Sequence, residues 1–84
     1  MGKKAKETQF TAVQCKMARA GLGLGIRELA VAAECAPATI VRLEAGENLH
    51  KRTIKAIKET LEEAGAIFFI TDDGNDGVAI QDEV

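Results

Sequence analysis

Two cysteines and one histidine, Cys15, Cys35 and His50, are the residues best suited to ligate zinc or to act as a nucleophile or a proton carrier. Neither cysteine belongs to a Cys-x-x-Cys pair or to a short cysteine–histidine spacing of the kind that binds zinc. We therefore expect no metal site and no cofactor. Both thiols are expected to be reduced and buried as small apolar groups, and His50 to lie on the surface or cap a helix.

Residues for catalysis are also missing. The sequence has one histidine and no tyrosine, and it offers no paired carboxylates for a cleft. The glycine-rich stretch GLGLG, residues 21–25, has no predicted strand before it and no Lys-Ser or Lys-Thr after it, so it is not a phosphate-binding loop. We interpret it as a joint between two helices. The sequence predicts a protein that is not an enzyme and has no small-molecule substrate.

The charges separate along the chain, although the net charge is only −2. All eleven lysines and arginines lie within residues 1–58, where five acids leave a net charge of +6, whereas residues 59–84 hold eight acids and no base. The basic part can face phosphate groups while the acidic end points away. No apolar run reaches membrane length and there is no signal peptide, so we expect a cytoplasmic protein with no membrane partner.

Four short helices are predicted from the apolar spacing and the capping residues. The first covers AVQCKMARAGL after a capping box formed by Thr11 and Gln14. The second covers GIRELAVAAE, and the third, PATIVRLEA, has Pro37 in its first turn and Gly46 as its stop. The fourth spans about residues 51–64. Small Ala30 is expected where the second and third helices cross, with Ile40 and Leu43 holding the third helix on the first two.

After Gly65 the pattern changes to two β-prone runs, AIFFIT and GVAIQ, separated by the turn-forming DDGND. We predict a β-hairpin. Because a lone hairpin is marginally stable in water, we expect residues 67–71 and 77–81 to pair between two subunits of a homodimer. The predicted interface residues are Ile67, Phe68, Phe69, Ile70, Val78 and Ile80.

The tight turn between the second and third helices is the geometry of a helix-turn-helix. Over about residues 11–64, ARAGLGLGIRELA followed by ATIVRLEAG resembles the lambda-repressor-like, Cro/cI-type helix-turn-helix regulators. The ending AGAIFFITDDGNDGVAI is similar to that of a bacterial subgroup with a small C-terminal β extension. We therefore predict a mainly α fold, in which a flexible basic arm (1–10) precedes a four-helix lambda-repressor-like helix-turn-helix domain (11–64) and a β-hairpin extension (65–84).

The resemblance implies roles for particular residues. Arg19 is expected to pair with Glu44 and fix the first helix against the end of the recognition helix, about residues 37–45. That helix would enter the major groove of double-stranded DNA. The implied base contacts are Pro37, Ala38, Val41 and Arg42. The implied phosphate contacts are Gly25, Ile26, Thr39, Asn48, Lys51 and Arg52.

The sequence departs from the family pattern at three places. Ile26 stands where a polar residue, commonly glutamine, opens the second helix. Glu34 stands at the turn where glycine is favoured, because one residue there tends to be left-handed. Ala36, Pro37 and Ala38 replace the usual polar start of the recognition helix, which leaves Arg42 as the one side chain able to make a bidentate base contact.

Two hypotheses follow. The first is a small transcriptional regulator, a repressor that binds DNA as a homodimer; an antitoxin-type autoregulator would share these features. The second is a protein-interaction module that keeps the helix-turn-helix fold with weak or no DNA binding, because fold alone does not determine function. The Ala-Pro-Ala run and the acidic C-terminal third favour the second hypothesis, and the basic segment favours the first.

Overall fold

A computed structural model describes residues 10–81 and shows four helices followed by a two-stranded antiparallel sheet. The predicted mainly α class with a C-terminal hairpin is confirmed. The basic arm, apart from Phe10, and the last three residues, 82–84, lie outside the described residues. No helix in the described part is long and apolar enough to span a bilayer. The elements are α1 (Ala12–Leu22), α2 (Ile26–Ala33), α3 (Pro37–Glu44), α4 (Lys51–Glu63), β1 (Ala66–Ile70) and β2 (Asp76–Ile80).

The start of α1 is fixed by the predicted capping box. The hydroxyl of Thr11 accepts a hydrogen bond from the backbone N–H of Gln14, and the Gln14 side chain accepts one from the Thr11 N–H, both at 3.1 Å. These contacts satisfy two of the N–H groups that a helix start leaves without partners. The helix ends at Gly23, whose φ of +71° is left-handed.

The turn between α2 and α3 contains a strained residue. Glu34 has a φ of +58° and is the one non-glycine residue in the described range with a positive φ. An L-residue in this conformation brings its Cβ too close to the following carbonyl oxygen, at a cost of about 1–2 kcal/mol. The expectation of a left-handed residue at this turn is confirmed. Pro37 then occupies the first turn of α3, where its missing N–H is not needed.

The core lies where the helices meet. Ala30 is 1% exposed, as expected for a small residue at the approach of α2 to α3. Ile26 and Ile54 are only partly buried against this core. The buried apolar residues are Phe10, Cys15, Ala18, Leu29, Ala30, Ile40, Leu43, Ile57, Leu61 and Ala66.

The hairpin closes within one chain, with Phe68 opposite Val78 and Phe69 opposite Gly77. Phe68 and Val78 face inward against the core, and the Phe68 ring meets the Phe10 ring edge-on at a centroid distance of 4.9 Å. Phe68 and Val78 thus pack on their own chain and lie on the side of the hairpin away from Ile67 and Phe69. The helical part of the same chain already covers that face of the hairpin.

The outer face of the hairpin is apolar and open. Ile67 is 47% exposed and Phe69 is 44% exposed. The Phe69 ring lies over Gly77, since a Cβ added at Gly77 would come within 2.2 Å of that ring. Ile70 and Ile80, at the strand ends, also remain more than a third exposed. Four of the six predicted interface residues are therefore accessible to another molecule.

A single buried side chain ties the hairpin to α1. Besides capping the helix, Gln14 donates from its side-chain amide to the carbonyls of Phe69 at 3.2 Å and Gly77 at 3.1 Å. Since these two residues are cross-strand partners, one amide group holds both strands. Thr11 adds a hydrogen bond of 2.8 Å to the carboxylate of Asp76. The hairpin is thus anchored at the first turn of α1.

Replacing Glu34 by glycine is expected to stabilise the protein. Glycine adopts a positive φ without the Cβ clash, and after its larger loss of chain entropy the gain is about 0.5–1 kcal/mol. For a domain of this size, that gain corresponds to a rise in Tm of about 2–8 °C. Differential scanning calorimetry measures it. Glu34→Ala is the control, because it removes the charge and keeps the Cβ; equal stabilisation by alanine would contradict the strain.

Candidate nucleic-acid interface

The end of α3 is attached to α1 by a nearly buried ion pair. Arg19 Nε lies 2.8 Å from Glu44 Oε2, and Arg19 Nη2 lies 2.8 Å from Glu44 Oε1, so the contact is bidentate. A third donor of the guanidinium, Nη1, reaches the carbonyl of Leu24 at 3.2 Å. The Glu44 side chain is only 7% exposed. Fork-shaped pairs of this kind fix geometry as well as charge, and the pair expected between Arg19 and Glu44 is present.

The Cys15 thiol belongs to the same cluster. Its Sγ donates a hydrogen bond to Glu44 Oε2 at 3.3 Å. Burial, followed by the hydrogen bond to this carboxylate, raises the pKa of Cys15 to about 12. The neighbouring Arg19 lowers the pKa of Glu44 below its usual value. Cys15 is thus a protonated structural donor, since the thiolate is the reactive form of cysteine.

The outer face of α3 presents the residues assigned to base contact. Pro37, Ala38 and Val41 are exposed, and the Arg42 side chain is 57% exposed. No other part of the chain within residues 10–81 covers the Arg42 side chain, but its Nε lies 3.2 Å from Glu47 Oε1. An exposed pair of this kind contributes only about 0–1 kcal/mol. Glu47 therefore competes only weakly for a group that would bind a base.

The residues assigned to phosphate contact differ in their exposure. Asn48, Lys51 and Arg52 are exposed in the loop after α3 and the first turn of α4. Thr39 is half-buried near the start of α3.

The backbone amide of Gly25, assigned to phosphate contact, is already occupied. Its N–H donates to the carboxylate Oε1 of Glu28 at 2.6 Å, so the amide assigned to a phosphate already holds an anion of its own chain. Ile26 follows it as the first residue of α2, with a half-buried side chain. A carboxylate at the helix start satisfies the same positive end of the helix dipole that would attract phosphate.

Two functional neighbours were missed from the sequence. Glu28 stands three residues after Gly25, which is the spacing of a capping box, so a signal was present. Glu47 lies beyond the end of α3, and no helical spacing predicts that it folds back to Arg42. Both add negative charge near the groups expected to meet DNA.

In the range 10–81, no three histidine, cysteine, aspartate or glutamate side chains come together where they would hold a metal ion. Neither protein-family models nor curated proteins give a match to the chain. The resemblance to Cro/cI-type regulators therefore depends on the motif residues and on the order of the helices.

The Arg19–Glu44 pair predicts an acid-sensitive fold. Because the folded-state pKa of Glu44 is lowered, its contribution is complete above the unfolded pKa of about 4.3 and is lost as pH falls further. Glu44→Gln is expected to lower the free energy of unfolding at pH 7 by about 2–4 kcal/mol. Below pH 4 the difference from the wild type should shrink.

Urea unfolding between about pH 3 and pH 7 measures this dependence. Glu63→Gln, at the exposed end of α4, is the matched control and should behave like the wild type at every pH. A constant difference between Glu44→Gln and the wild type across this range would contradict the assignment.

Proposed function

We propose that the protein is a small DNA-binding regulator with a helix-turn-helix of the Cro/cI type, formed by α2, the turn and α3. The observation that carries the proposal is the open outer face of α3. It is small-sided and uncharged except for Arg42, and Asn48, Lys51 and Arg52 follow it along an exposed loop and helix start. The motif resemblance and the net charge of +6 on residues 1–58 support the same proposal.

The fit to DNA follows from size and chemistry. An α-helix with its side chains is about 10–12 Å across, and the B-DNA major groove is about 12 Å wide, so the eight-residue α3 fits the groove in cross-section. Pro37, Ala38 and Val41 would offer apolar contacts to thymine methyl groups, and Arg42 would form a bidentate contact to guanine after leaving Glu47. Small side chains at the start of α3 permit close approach of its backbone to the bases.

The expected specificity is low. A bidentate arginine–guanine contact discriminates by about 1–3 kcal/mol, whereas specific regulators exceed their non-specific binding by about 4–10 kcal/mol. Two copies of Arg42 in a dimer reach only the lower part of that range, so DNA shape and deformability would supply the remainder. Most affinity would come from phosphate contacts, for which the candidates are Ile26, Thr39, Asn48, Lys51 and Arg52.

Fluorescence anisotropy with a mixed-sequence duplex at several salt concentrations tests DNA binding. We expect log K to fall linearly with log salt, and Lys51→Ala or Arg52→Ala to reduce the slope by about 0.9 for each lost phosphate contact. Lys16→Ala, which removes an exposed cation on α1, should leave the slope unchanged. No binding at about 50 mM salt and micromolar protein would contradict the proposal.

We also propose that the protein acts as a homodimer through the outer face of the hairpin. Ile67 and Phe69 are aligned there on alternate positions of β1, and Ile70 and Ile80, which alternate onto the other face, are also exposed at the strand ends. An isologous contact of this face would bury apolar groups of both copies. Two copies of α3 would then meet successive major grooves about one helical turn apart.

A charge on the outer face of the hairpin is expected to disrupt the dimer. Ile67→Lys would bury an unpaired ammonium in the interface, so sedimentation velocity should report a dimer for the wild type and a monomer for the variant. Val31→Lys is the control, because Val31 is 78% exposed on α2, away from the hairpin in sequence; it should remain dimeric. A dimeric Ile67→Lys protein would exclude this interface.

A protein-interaction module is the second candidate. The Ala36-Pro37-Ala38 run offers no side-chain hydrogen bonds, and Glu34 and Glu47 are exposed on either side of α3 in the chain. A surface of small residues beside acids suits a protein partner as well as a base edge. Absence of salt-dependent DNA binding in the anisotropy experiment favours this candidate. An antitoxin-type autoregulator would give the same DNA-binding result as a repressor.

A further inference from the structure

A small pocket lies beside α4, and none of its lining residues belongs to α3. Its volume is about 210 Å³, and its walls are formed by Phe10, Ile54 and the side chains of Lys51, Lys55 and Lys58. The three lysines are spaced four and three residues apart, so they lie along one side of the helix. The pocket thus combines apolar walls with three cationic groups and no acidic lining residue.

We propose that this pocket binds a small amphipathic organic anion, with a flat apolar body of one or two rings and a single carboxylate or sulfonate. Phe10 and Ile54 would contact the apolar body, and the lysine ammonium groups would pair with the anionic end. The pocket volume is below the 300–1,000 Å³ or so of sites for drug-sized ligands, which limits the apolar body of the ligand to one or two rings. The three positive charges exclude a cationic ligand and disfavour a neutral one.

The lysines are available for an incoming anion. Lys55 Nζ lies 3.7 Å from Glu59, and Lys58 Nζ lies 3.9 Å from Glu62. Both distances exceed the 2.7–2.9 Å or so of a strong charge-assisted hydrogen bond. The Lys58 side chain is only 19% exposed, which means that its stem lies along the protein surface and its position is restricted. A ligand carboxylate would therefore replace weak contacts and gain shorter ones.

The site is separate from the DNA proposal, although Lys51 is common to both. If DNA binding holds, a bound anion would neutralise Lys51 and oppose its contact with a phosphate. The pocket would then act as an effector site. Binding of the anion itself needs no DNA, so the two proposals can fail independently.

Titration with 2-naphthoate, followed by its fluorescence and by amide shifts in heteronuclear NMR, tests the pocket on the full chain. We expect saturable binding with a Kd of about 1 mM or tighter, which is ordinary for a ligand of this size. The largest amide shifts should fall at Phe10, Ile54 and Lys55. The neutral 2-naphthylmethanol has a similar ring body and should bind at least about fivefold more weakly.

Charge-removing variants complete the test. The double variant Lys55→Gln/Lys58→Gln should weaken naphthoate binding by at least about fivefold. Arg27→Gln, an exposed cation on α2, should stay within about twofold of the wild type. The proposal would be overturned if the neutral compound bound equally well or if the double variant bound naphthoate as tightly as the wild type. Amide shifts located elsewhere, or no saturation by about 10 mM naphthoate, would also overturn it.

Discussion

The bidentate contact between Arg19 and Glu44 is the constraint on which the arrangement of α3 depends. α3 is only eight residues long, too short to be stable by itself, and its apolar anchors are few. The ion pair attaches its last turn to α1, and the Cys15 thiol donates to Oε2 of the same carboxylate, which also accepts from Arg19 Nε. Because Glu44 is held on the inner side of α3, the exposed face is left to Pro37, Ala38, Val41 and Arg42. One nearly buried carboxylate thus determines which side of the helix is exposed.

The hairpin depends in a similar way on one amide. A polar group buried without a partner costs about 1–3 kcal/mol, and the buried Gln14 amide avoids this cost by donating to two carbonyls, one on each strand. The contact lets a two-stranded sheet, marginal alone, persist as an extension of a helical core. It also orients the sheet, with Phe68 turned toward Phe10 and Ile67 turned toward solvent. The apolar outer face therefore results from the way in which the inner face is satisfied.

Local signals in the sequence predicted much of this fold, whereas several contacts that depend on side-chain positions were not predicted. The start of α1 was predictable because Thr11 and Gln14 are three residues apart, and the left-handed turn because the motif requires one. The inward side of the hairpin was not predictable, since both faces are apolar and the register alone separates Phe68 from Phe69. The Glu47 contact with Arg42 and the lysine-lined pocket depend on side-chain positions that spacing does not determine, whereas the capping-box spacing of Gly25 and Glu28 did indicate the occupied amide.

In the proposed complex, the outer face of α3 and the start of α4 contact DNA and the hairpin does not. Titration of the isotopically labelled protein with a short duplex, followed by amide chemical shifts, tests it most directly. The account predicts that the largest shifts occur at Ala38, Val41, Arg42 and Lys51, and that Ile67 and Phe69 stay near their free positions. Shifts confined to the hairpin, or an unperturbed α3, would contradict it.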